Sequence, residues 1–69
     1  MERHPVSSST IASVGYDAHS ETLEIEFHKT GLYQYFNVPA VLYDAMMAAP
    51  SQGVFFNAGI KNQFPYERL

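Results

Sequence analysis

Glu24 and Glu26 are two carboxylates two residues apart, the first arrangement in this chain that could do chemistry. Acid and base roles at neutral pH need two carboxyls whose surroundings push their pKa values apart. Here the alternation Leu23-Glu24-Ile25-Glu26-Phe27 explains both residues as the solvent face of a half-buried strand, and no buried partner is evident. His4, His19 and His28 lack the short helical spacings of metal ligands and fall in loops or at the N-terminus. No serine sits in a nucleophile elbow, and Gly15, Gly31, Gly53 and Gly59 are isolated, so there is no phosphate-cradling loop. The sequence therefore presents no catalytic site, no metal site and no cofactor motif.

Aromatic and basic residues offer different chemistry. Tyr33 and Tyr35, with Lys29, Lys61 and Arg68 nearby, could form a platform on which bases stack while cations meet phosphate. Asn57 is a candidate contact beside them, and Phe36 takes the place of the tyrosines if the other face of their strand is open. The competing structural reading puts Tyr33 and Tyr35 inward with Leu23, Ile25 and Phe27, their hydroxyls bonded to groups such as Asn57. The balance of charge, 4 Lys and Arg against 7 Asp and Glu, gives a net −3 and supplies no overall attraction to phosphate. A rival use of the aromatics is protein contact, including self-association, through Tyr43, Phe55 or Tyr66.

With 69 residues the chain has room for one domain, which must use its core efficiently. There is no Cys to staple it, so the 5 Tyr and 5 Phe carry much of the burial. The lack of Cys fits a reducing compartment. No apolar run reaches the length of a membrane span, and the first residues lack the apolar core of a signal peptide, so a cytoplasmic protein without membrane contact is expected.

Strands are expected at residues 11–16, 23–27 and 32–38, joined by polar turns at 17–22 and 28–31. Gly31 is suited to positive φ in the second turn. Pro39 can occupy the first turn of a helix in which Val41, Leu42, Ala45, Met46 and Ala49 follow helical spacing up to Pro50. Ser51 can cap a second helix whose stripe is Phe56, Ile60 and Phe64, ended by Pro65 and followed by a tail. The expected architecture is α+β: a three-stranded antiparallel β-meander followed by two helices packed on one face of the sheet. Residues 1–8 are expected to be a flexible N-terminus and 9–69 a single domain.

Certain residues along this plan resemble the KTSC domain, named from the C-terminal region of some lysyl-tRNA synthetases and also found as a free-standing bacterial protein. They are Ser8-Ser9 before Ile11, Tyr16-Asp17, Leu23, Phe27, Tyr33-Gln34-Tyr35, Val38-Pro39, Tyr43, Ser51-Gln52-Gly53, Phe56-Asn57 and Ile60. The resemblance spans about residues 6–69. It implies a small non-catalytic module with no established activity, for which the fusion to a synthetase suggests RNA, such as tRNA, as partner.

Overall fold

The computed structural model describes residues 1–69. Five strands form one antiparallel sheet in the order β1-β2-β3-β4-β5: β1 (Arg3–Pro5), β2 (Ile11–Asp17), β3 (Thr22–Phe27), β4 (Gly31–Tyr35) and β5 (Tyr66–Arg68). Between β4 and β5 the chain forms helices α1 (Ala40–Ala48) and α2 (Gln52–Gly59). The α+β class, the antiparallel meander and the two helices match the reading of the sequence. The sheet has five strands rather than three.

The two additional strands are its edges, each only three residues long, too short to show an alternating pattern. Residues 1–8, expected to be flexible, hold β1, which pairs Arg3 with Gly15 and Pro5 with Ser13. Pro5 is compatible with that place because an edge strand has unpaired N–H positions. Residues 66–69, expected as a tail, hold β5, with Tyr66 opposite Tyr35 and Arg68 opposite Tyr33.

Cross-strand partners project to the same face of a sheet. Val14, Ile25 and Tyr33 thus form one inner row, and Tyr16, Leu23, Tyr35 and Tyr66 another. Ile11, Val14, Leu23 and Ile25 have no exposed surface, and with Val38, Met46, Phe56 and Ile60 they make the core. The face of β4 that the sequence left open is therefore settled by register: Tyr33 and Tyr35 turn toward the helices.

Local chemistry sets the element ends. Gly31, at φ 101°, closes the β3–β4 turn in a region that favours glycine. β4 stops at Tyr35, short of the expected residue 38, and Asn37 adopts φ 65° before the chain enters α1. Pro39 is the N-cap of α1 rather than a residue of its first turn. The Ser51 hydroxyl accepts a hydrogen bond from the Val54 N–H at 3.2 Å, capping α2 as its residue type predicts. That helix ends at Gly59 rather than at Pro65, and the following turn carries Asn62 at φ 66°.

Gly59 is a helical glycine with no steric reason to be one, since an added Cβ would meet only Phe55 Cε1, at 3.8 Å. Gly59→Ala is expected to raise stability by up to about 1 kcal/mol through the lower entropy of the unfolded chain. Denaturant titration with an unchanged slope checks this; equal or lower stability would count against it.

Candidate aromatic groove

The inner face of the sheet is not wholly roofed by the helices. Toward β5 it leaves a groove of about 360 Å³ between β4, β5 and the C-terminal end of α2. Its floor is aromatic. Phe56 packs edge-on against both Phe27 (5.3 Å between centroids) and Tyr35 (5.2 Å). Tyr66, 59% exposed, leans against Tyr33 and Tyr35 at 5.9 and 5.5 Å. Polar side chains of Thr10, Thr30, Asn57, Lys61 and Asn62 complete the lining.

The sequence candidates fall in three places. Tyr33, Tyr35, Asn57 and Lys61 all line the groove. Arg68 stands beside it, its guanidinium 5.9 Å from the centre of the Tyr33 ring in cation–π contact. Lys29 is exposed in the β3–β4 turn and does not line the groove, although its neighbour Thr30 does. Phe27, Phe56, Thr10, Thr30 and Asn62 were not among the sequence candidates, and Tyr66 was a candidate for protein contact only.

Tyr35 is only 6% exposed, and burial, with the neighbouring Tyr33 and Tyr66 phenols, pushes its pKa from 10.0 up to about 12. The folded state therefore favours the neutral phenol. Its contribution is complete below about pH 10 and is lost as pH rises toward 12. Alkaline unfolding followed by circular dichroism is expected to begin in that window, and Tyr35→Phe to move its onset upward; an unmoved onset would reject this assignment.

The carboxylates lie elsewhere. Read from sequence, Glu24 and Glu26 were solvent-facing and without a buried partner, but Glu24 is 5% exposed and does have one. The partner is Arg3, whose Nη1 donates to Glu24 Oε2 at 2.5 Å across the outer face of the sheet. Gln34 Nε2 donates to Glu24 Oε1 (2.9 Å), Arg3 Nε to Ser13 Oγ (3.0 Å), and Ser13 Oγ to Glu26 Oε1 (2.9 Å). The pairing was not legible because it depends on the unanticipated strand β1. None of the 7 Asp and Glu side chains lines the groove, and three of the 4 cations, Lys29, Lys61 and Arg68, remain outside any ion pair.

Of the aromatics considered for protein contact, Tyr66 lies in the groove and the other two lie elsewhere. Tyr43 stacks on Tyr16 with centroids 4.7 Å apart, and the Tyr16 hydroxyl donates to the Val38 carbonyl. Phe55 is half-buried and shares a shallow apolar surface with Ala49, Pro50 and the 69%-exposed Val54. No three His, Asp or Glu side chains gather closely enough to hold a metal ion. No helix is long and apolar enough to cross a membrane.

Comparison with known proteins places this architecture. Residues 7–64 match the family model of the KTSC domain. A solved KTSC domain protein of Yersinia pestis is 44% identical and superposes with a TM-score of 0.97, over 99% of this chain and 96% of that one. A protein of Stutzerimonas stutzeri is 40% identical over 70 residues, covering 100% of this chain and 99% of that protein. The lysine–tRNA ligase of a Nostoc species is 39% identical over 61 residues, 88% of this chain but only 11% of the ligase's length. The match extends from the sequence pattern to the complete fold, and the chain belongs to the KTSC domain family.

Proposed function

We propose that this domain is a non-catalytic binding module that takes single-stranded RNA, such as an unpaired segment of tRNA, in the aromatic groove. The observation that carries the reading is the separation of charge. An aromatic groove with Lys61 in its wall, Arg68 on its rim and Lys29 in the adjoining turn contains no carboxylate. The net charge of −3 then says little about the local field, because Arg3 is occupied by Glu24 and the acids lie off the groove. Tyr33 and Tyr66 supply ring surface, and each base stacked on such a ring contributes about 1–3 kcal/mol. The similarity to a segment of lysine–tRNA ligases is consistent with an RNA partner.

Titration with bulk tRNA tests this. Two or three phosphate contacts predict a loss of affinity of about tenfold between 50 and 200 mM salt. Lys61→Glu combined with Arg68→Glu is expected to abolish binding with the fold intact. Absence of binding at low salt, or binding indifferent to that double substitution, would sink the reading.

The exposed apolar surface at Val54 and Phe55 favours a second reading, self-association or another protein contact. Such a contact is expected to be almost insensitive to salt. Sedimentation showing only monomer at high protein concentration excludes the self-associating form.

A further inference from the structure

Polar side chains free of internal hydrogen bonds have their full capacity for a ligand, and those in the groove are uncommitted. The only tyrosine hydroxyl bonded within the protein is that of Tyr16. No side-chain hydrogen bond within the protein involves Asn57, Asn62 or Lys61. Tyr35 is the most telling of these residues. More than nine-tenths of it is buried, it lines the groove, and no buried polar side-chain atom is sealed off without a partner. Its hydroxyl, bonded to nothing in the protein, therefore keeps some accessible surface and is free to bond a ligand. A site that needed ring surface alone would be served equally by phenylalanine, as at Phe27 and Phe56 on the same floor.

We propose that the groove reads the edge of one unpaired base, with the Tyr35 hydroxyl and the Asn57 side-chain amide as the reading groups and Lys61 holding an adjacent phosphate. The inference rests on the RNA reading of the groove and goes beyond it. Stacking platforms that only track a backbone tolerate every base, because every base has a π-face. Sequence-specific readers of single strands instead bond the edges of splayed-out bases. An amide offers one donor and one acceptor side by side, and a phenol can give or take. A base that fails to match leaves those groups desolvated and unpaired, which is what produces discrimination.

The test uses fluorescence anisotropy at one low salt concentration with single-stranded RNA octamers of A, C and U. The affinities are expected to spread by about tenfold or more, as one or two matched hydrogen bonds confer. Tyr35→Phe, which keeps the ring, and Asn57→Ala, at an exposed position, are each expected to narrow that spread, by weakening the preferred octamer and by relieving the cost of the unpaired group on the mismatched ones. Affinities equal within about threefold, or a spread that survives both substitutions together, would overturn base reading while leaving RNA binding in place. Failure of the folded protein to bind any octamer would instead remove the RNA reading, and base reading with it.

Discussion

Ile25→Ala is expected to lower the stability of the protein by about 2–5 kcal/mol at 25 °C, the largest loss of any single truncation considered. Ile25 has no exposed surface and sits on β3, the middle strand, between Val14 of β2 and Tyr33 of β4. Truncating such a residue removes its transfer free energy and leaves a cavity, together about 2–5 kcal/mol. A domain of this length has a total stability of roughly 3–10 kcal/mol, so the loss is a large share of the whole. Here no disulfide limits the damage. The aromatic groove should suffer even in the molecules that remain folded, since Tyr33 is the direct cross-strand neighbour of Ile25. Urea unfolding is the measurement. A loss under about 1 kcal/mol would mean that the site collapses well enough to refill the space.

The elements that were legible from sequence are those with local signals. The alternation from Leu23 to Phe27 gave β3, the Ser51 hydroxyl gave the start of α2, and positive φ was expected and found at Gly31. Both edge strands lacked such a signal, because three residues whose pairing depends on a partner strand carry no period of their own. Their omission had consequences for both faces. Without β1, Glu24 had no visible partner; without β5, Tyr66 and Arg68 could not be placed against Tyr33 and Tyr35. Four of the six candidate residues, Tyr33, Tyr35, Asn57 and Lys61, come together in one groove, and Arg68 joins them at its rim. The choice between Tyr33 and Tyr35 as core and as site proves too sharp, since Tyr35 is both nearly buried and part of the groove floor. Its ring packs on Phe56 while its hydroxyl remains unbonded, a division within one side chain that residue type alone does not reveal.

Gly15→Val is expected to detach β1 and, with it, the polar network of the outer face. Arg3, Gly15, Glu24 and Gln34 occupy one row across four strands. Because Gly15 has no side chain, the Arg3 side chain can reach over it to Glu24. A Cβ at that position would stand 2.6 Å from the Glu2 carbonyl oxygen and 3.1 Å from Arg3 Cγ. The side chain could shift, but the backbone oxygen cannot move without loosening the strand. The penalty is bounded by what docking β1 contributes, since an edge strand can open locally while the helices and central strands persist. Losing a partly exposed guanidinium from a buried carboxylate, with Gln34 still bonded, suggests about 1–3 kcal/mol.

Acid titration distinguishes this account from general damage. Burial pushes the Glu24 pKa up, but the hydrogen bonds from Gln34 and Arg3 and the charge of Arg3 outweigh it and hold the carboxyl below its ordinary 4.5. The folded state thus favours the ionised form. Its stabilising contribution is complete above that ordinary value and is lost as pH falls through the depressed one. Gly15→Val and Arg3→Ala are each expected to move acid unfolding to higher pH, by similar amounts, because both remove the same guanidinium. The double variant should be scarcely worse than Gly15→Val alone, as non-additivity within one network requires. Additive losses would show that Gly15 and Arg3 act separately, and an unaltered acid limb in Arg3→Ala would show that Glu24 does not depend on β1 for its charge.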